Sequence, residues 1–349
     1  MMVHARYLAI AFAAAVSIVS CAPRRGSDAA SGSETIVIYS ALDREFAEPI
    51  LKEYERRSHM RIDGKYDVES TKTVGLTHAI MLEANRPRCD LFWNNEILNT
   101  LRLKRAGLLA PFSIPNADDF PATFRDRDQT WYGFAARARI ILVNVKLVSE
   151  KDRPRGIEDL LDPRWRGKIG FAKPLFGTTA THAACLFAKW GDDKAKLYFD
   201  NLKKNDVRVL SGNRQVAQAV GSGSIAFGLT DTDDASEEIA AGSPVAIVYP
   251  DRGKDELGTL YIPNTLALVK GAPHAEAAIK TARYLLSPEV EIALATGPSA
   301  QIPLNSQVNI KTKVETPITV KAMEVDFEAA AVKWDAAAAY LAEKFGSAE

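Results

Sequence analysis

Five consecutive residues, Thr230-Asp231-Thr232-Asp233-Asp234, are the densest group of chemically competent side chains in the chain. Carboxylates and hydroxyls packed this closely can meet an amine or hold a hard cation through oxygen. They follow an apolar run, Ile225 to Leu229, that reads as a short buried strand, with Gly228 leaving room for close backbone approach. In open α/β sheets, ligands collect outside the carboxyl ends of strands. Asp231, Thr232 and Asp233 are therefore candidate ligand groups. The alternative is capping, with Asp233 or Asp234 accepting from the first free amides of the next helix.

Other groups supply the opposite charge. Thr178-Thr179-Ala180-Thr181 opens a helix just after Gly177, and free amides with hydroxyls at a helix start form an anion site; ordinary N-capping uses the same residues. Ser70-Thr71 offers a similar polar loop, and Asn213 lies at another helix start. Arg137 and Arg139 are two apart on a predicted strand, so they share a face. They can grip an anion bidentately, or serve as an ion pair or a solvated edge. Ser40 ends the first strand, and Asn94-Asn95 ends the third. Tyr39 and Trp93 can stack on a solute, although core packing is the commoner role. A zwitterion, with its anion on the threonine helix and its ammonium at the aspartates, would satisfy both poles.

These groups need a scaffold, and the strand and helix signals supply one. Thr35 to Tyr39 reads as a strand, a helix follows from about Asp43 with Pro49 inside it, and Asp90 to Trp93 is a further buried strand. The next helix stops near Gly107. This β-α-β-α-β-α order, with polar strand ends, predicts a mostly parallel sheet. Arg137 to Asn144 reads as a crossing into a second domain, and Leu260 to Val269, interrupted by Pro263-Asn264, as the return.

The chain of 349 residues is 47% hydrophobic, long enough for two domains, and its 44 basic and 44 acidic residues leave no excess that would attract nucleic acid. Leu8 to Val19 is apolar but shorter than the ~20 residues of a membrane span, and reads as a signal segment. It ends in Ile18-Val19-Ser20-Cys21, which resembles a bacterial lipobox. Residues 1–20 are thus expected to be a lipoprotein signal peptide, Cys21 a lipid anchor, and 21–33 a flexible tether. Cys89 and Cys185 lack metal-type spacing and read as small buried hydrophobes.

The order and spacing of several stretches carry a resemblance. They are Ile36-Val37-Ile38-Tyr39-Ser40, Cys89-Asp90-Leu91-Phe92-Trp93, Arg105 to Pro111, Trp131-Tyr132-Gly133 before Arg137-Ala138-Arg139, Leu160 to Ile169, Pro244 to Pro250, and Leu285 to Glu289. Together they resemble the bacterial type II periplasmic solute-binding lipoproteins of ABC importers, close to the ferric-iron-binding branch. The resemblance implies an α/β, two-lobed type II periplasmic-binding-protein fold, with two α/β domains joined by two crossing strands. It places lobe I at 34–136 plus 262–312, lobe II at 137–261, and a C-terminal helical segment, 313–349, packing on the lobes. It also implies closure around a solute in the cleft. Iron-binding members usually use a His, a Glu and a Tyr pair. The matching positions here are Asp43, Asn95 and about Asp233-Asp234, a different oxygen set.

The resemblance implies a non-enzymatic receptor in the cell envelope, at the periplasmic face. Its expected partners are an ABC permease with its ATPase, a small-molecule or metal ligand, and the membrane through lipidated Cys21, with the leaflet left open. A monomer is expected, with no nucleic acid and no cofactor, ferric iron entering only as a transported ligand. Two other classes stay open. One is a solute sensor using the same cleft; the other is a carboxylate-metal hydrolase built on Asp231, Asp233 and Asp234. The hydrolase lacks support from any GxSxG, HExxH or P-loop motif, and the five histidines are not clustered.

Overall fold

The first strand, β1 (Thr35–Ser40), pairs in parallel with β2 (Arg61–Tyr66) on one side and β3 (Leu91–Asn94) on the other. The computed structural model describes residues 35–67 and 72–346. The expected signal peptide 1–20, Cys21, the whole of the 21–33 tether and the Ser70-Thr71 loop lie outside them. Helix α1 (Arg44–Ser58) follows β1, α2 (Val74–Leu82) follows β2, and α3 (Leu98–Arg105) follows β3. This is the predicted βα alternation. Pro49 sits inside α1 without ending it.

The short β4 (Leu109–Ala110) precedes β5 (Trp131–Asn144), a strand of 14 residues buried along its whole length. Two half-sheets share β5. The chain continues through β6 (Ile169–Ala172), α4 (Gly177–Trp190), α5 (Asp192–Lys204), β7 (Arg208–Leu210) and α6 (Asn213–Gly221). It then forms β8 (Phe227–Asp231), α7 (Thr232–Ala240), β9 (Val245–Val248) and β10 (Tyr261–Val269). Residues Trp131–Ala138 of β5 run antiparallel to β10, and Arg139–Val143 run antiparallel to β8. The strand order β2-β1-β3-β10-β5-β8-β6-β7 therefore puts parallel strands at both flanks and antiparallel crossing strands in the middle.

The register shift between β5 and β10 is marked by strain and by a buried carboxylate. Ala135 has φ 42°, a conformation that L-residues seldom take. Glu291, in α9 (Pro288–Thr296), accepts from the amides of Ala135, Leu304 and Asn305 at 2.7–3.1 Å. The β10 register shifts between Ile262 and Asn264, so Pro263 occupies a bulge where no ladder amide is needed. Helices α8 (Ala275–Leu285) and α10 (Phe327–Phe345) complete the cover. Helix α10 packs on α3, α4 and α5, with Phe345 edge-on to Phe171.

One element differs from its sequence reading. The strand predicted over Ile225–Leu229 runs instead over Phe227–Asp231. Thr230 and Asp231 stay in the ladder because they face Ile140 and Arg139 across β5. Gly228 does mark a close approach: a Cβ there would sit 2.5 Å from Val216 and 2.8 Å from the Gly170 carbonyl.

Candidate functional site

Four helices begin at one cavity. Asp43 precedes α1, Phe176 precedes α4, Gly212 precedes α6 and Asp231 precedes α7. The first residues lining the cavity include Asp43, Gly177, Gly212 and Asp231 themselves. None of the four starts has a side-chain cap. Their leading amides lack intrahelical partners, and their dipoles put partial positive charge toward the cavity. Capping is therefore not what Asp233, Asp234, Thr178 or Thr179 does.

Behind the cavity lies a dense polar network in which, of the Arg139 guanidinium, only Nε is left without a partner. Arg139, wholly buried, donates from Nη1 to Asp231 Oδ1 at 2.8 Å, to Asn213 Oδ1 at 3.0 Å and to Thr178 Oγ1 at 3.3 Å. Its Nη2 donates to Thr179 Oγ1 at 3.2 Å. Thr178 donates to Asp231 Oδ2, Thr179 donates to Asn213 Oδ1 at 3.0 Å, and Asn213 Nδ2 donates to Thr178 and Asp231. Burial works against the Asp231 charge, but Arg139, then Arg137, and the Thr178 bond hold its carboxyl below the usual range. The expected anion grip of Thr178, Thr179, Asn213 and Arg139 is thus spent within the protein, at least through their side chains.

The open groups lie in front. Arg137 donates to the Asn95 carbonyl and stands 3.6 Å from Asp233 Oδ2. Arg137 Nε, Asp233 Oδ1 and Asn95 Oδ1 are buried without a partner. Buried polar atoms rarely stay unpaired, so these three mark where a ligand belongs. Asp231, Asp233 and Asp234 can each offer an oxygen within 4.8 Å of the others. Burial raises Asp233 to about 6, with Arg137 opposing and Asp231 and Asp43 adding to the rise. Burial, Asp233 and Asp231 push Asp234 well up. Both carboxyls would be relieved by a positive charge.

Asp43 is engaged differently. It accepts from Lys72 Nζ at 2.6 Å and lies 3.8 Å from Arg214. Burial raises its carboxyl, but these cations, Lys72 first, bring it below the ordinary value. Asn95, Arg137, Thr178, Asn213, Asp231, Asp233 and Asp234 also line the cavity. Ser40, Asn94, Arg139, Thr179 and Thr232 are not among its lining residues. Ser40 bonds the Leu42 carbonyl, Asn94 bonds Glu96 and Thr100, and Thr232 accepts from the Ala138 amide. Trp93 and Tyr39 are core residues: Trp93 packs on Phe134, and Tyr39 donates to Glu83. Lys72, Lys173 and Ser211 were not singled out in the sequence. Their signal was present, since each directly adjoins a polar loop or strand end.

The described lining side chains give four carboxylates against three cations, Lys72, Arg137 and Lys173, and include no His or Tyr. The cavity holds about 20 Å³, room for about one water or a bare ion. It has a carboxyl pole at Asp233 and Asp234 and a positive pole at Arg137, the lysines and the helix starts.

The sequence pattern of the bacterial extracellular solute-binding proteins matches residues 94–330. Iron uptake protein A2 of Synechocystis is 26% identical over 292 residues, 80% of each chain. The iron-bound HitA of Pseudomonas aeruginosa has the same fold, with a TM-score of 0.80 at 21% identity over 88% of this chain and 99% of that one. AfuA of Actinobacillus pleuropneumoniae, with fructose-6-phosphate bound, superposes with a TM-score of 0.79 at 22% identity over 91% of this chain and 100% of that one. These relatives are binding proteins.

Proposed function

From the premise that this chain belongs to the bacterial extracellular solute-binding protein family, we propose that its cargo is a hard cation carried with a small oxyanion, ferric iron being the first candidate. The observation that carries this reading is the Asp231, Asp233 and Asp234 oxygen cluster beside the unpartnered Asp233 Oδ1. Oxygen donors suit a hard cation. With the half-sheets further apart than here, the anion sits between that cation and Arg137, Lys72 and the helix starts, where free amides favour negative charge. Asp231 contributes only what its Arg139 and Thr178 bonds leave free, so Asp233 and Asp234 are the main ligands. Asp43 serves the anion side by fixing Lys72. In the arrangement seen here the cavity has room for the bare cation alone.

A second reading is one molecule with both poles, a phosphonate-like zwitterion whose ammonium meets Asp233. The positive pole at Arg137 and the absence of His and Tyr among the described lining residues favour it. It requires the two half-sheets to stand further apart than here. In either case the protein delivers cargo to an ABC permease and its ATPase from a lipid anchor at Cys21. Sensing would use the same cleft.

Metal analysis and thermal shift on purified protein separate the two. The protein would be taken as isolated, chelator-stripped, and refilled with ferric citrate or given an aminoalkylphosphonate. Stoichiometric iron and a shift with ferric citrate support the first reading. A shift with the phosphonate alone supports the second, and no response to either removes both.

A further inference from the structure

Arg214 is the second residue of α6, next to Asn213, but it is not among the lining residues of the cavity. Its guanidinium reaches three carboxylates. Glu45 lies in the first turn of α1, Asp43 precedes that helix at 3.8 Å, and Glu237 of α7 lies at 3.4 Å. Helices α6 and α7 pack on each other and on β8, while α1 packs on β2, α8 and α9. The four groups are partly exposed, at 32% for Arg214, 51% for Glu45, 26% for Asp43 and 31% for Glu237.

We propose that Arg214 is a latch that holds the two half-sheets closed over the cargo without touching it. The inference rests on the reading that the halves close around a solute. When they separate, Glu237 travels with Arg214, so the guanidinium keeps a counter-ion. On closure it gains Glu45 and Asp43 from the other half. Two discrete arrangements of one charge then exist, which is what a population shift needs. Arg214 acts through Asp43, whose carboxylate also takes Lys72, and so it positions the anion side of the site. Without Arg214, three carboxylates meet at the mouth and repel.

The test compares Arg214→Ala, Glu45→Ala and the double variant by stopped-flow release of iron from ferric-loaded protein into chelator. Release is expected to rise about fivefold in each single variant, on the scale of a partly exposed charge network. The double variant should be no faster than either single, and the uptake rate should change less than twofold. The exchange Arg214→Glu with Glu45→Arg should restore slow release. Unchanged release in Arg214→Ala, or additive effects, would overturn the latch. Small-angle scattering of cargo-free protein gives a readout independent of the ligand, in which Arg214→Glu should be measurably more extended than wild type. If wild type takes up no iron yet the variant expands, the cargo assignment fails and the latch stands. If the variant does not expand, the latch fails whatever the cargo.

Discussion

Asp233→Asn should stabilise the empty protein at neutral pH while removing its affinity for cargo. The Asp233 carboxyl is raised from 3.8 to about 6 by burial, with Asp231 and Asp43 contributing against Arg137. A raised native value means the folded protein holds this proton more tightly than the unfolded chain. The favourable contribution is complete below the unfolded value and is lost as pH rises through about 6. At pH 7.5 wild type therefore bears the whole cost of the ionised form, roughly 3 kcal/mol for about two pKa units at 1.36 kcal/mol each. Asparagine keeps the shape and cannot ionise. It does weaken the 3.6 Å pairing with Arg137, but Arg137 retains the Asn95 carbonyl and the Asp231 field. A net gain of about 1–2 kcal/mol is expected at pH 7.5, shrinking toward zero at pH 4. Urea unfolding at pH 4, 5.5 and 7.5 measures it, and titration with ferric citrate should show affinity down at least about tenfold. Loss of stability at pH 7.5, or a gain that is the same at pH 4, would mean that Asp233 carries a satisfied charge and that the cavity is not poised for a cation.

Asp231 should behave in the opposite way. Asp231→Ala leaves the wholly buried Arg139 without its carboxylate and should cost about 3–5 kcal/mol in urea unfolding, while an Arg139→Met, Asp231→Leu pair should recover most of it. His182 is buried beneath this network with Nδ1 unpartnered, and burial, then Arg139, lowers it to about 3. A depressed native value gives stability that is present above the unfolded value of 6.5 and lost as pH falls. Wild type should lose about 2–3 kcal/mol more than His182→Leu between pH 7.5 and 4.5, and equal acid limbs in denaturant titration would refute that.

The scaffold was legible because its signals are local. The apolar runs at Ile36–Tyr39 and Leu91–Trp93 became strands, and Gly107 and Gly191 end α3 and α4 at φ 70° and 80°, where glycine carries no side-chain penalty. The site was legible as a list and illegible as a division of labour. The Asp231, Asp233 and Asp234 triplet looks uniform in sequence. It is split by the register of Asp231 opposite Arg139, a pairing between residues far apart in the chain. Similarly, Thr178 and Thr179 have the composition of an anion grip, but a buried guanidinium reaches them first. Lys72 adjoins a polar loop in the sequence, but its partner Asp43 is set only by the approach of α1.

That division has a physical logic. A ligand site must be rigid where it is built and unsatisfied where it binds, since ordering groups on binding costs affinity. The inner ring of Arg139, Asp231, Thr178, Thr179 and Asn213 meets the first need, because its side chains tie the starts of α4, α6 and α7 to β5. The outer ring meets the second: Asp233 Oδ1, Asn95 Oδ1 and Arg137 Nε keep their polar capacity unspent. The unspent atoms come from both half-sheets, Asn95 following β3 and Asp233 following β8. A cargo that satisfies all of them must bridge the halves. Binding then favours closure, and the cost of leaving those atoms unpaired gives the cargo its hold on the closed form.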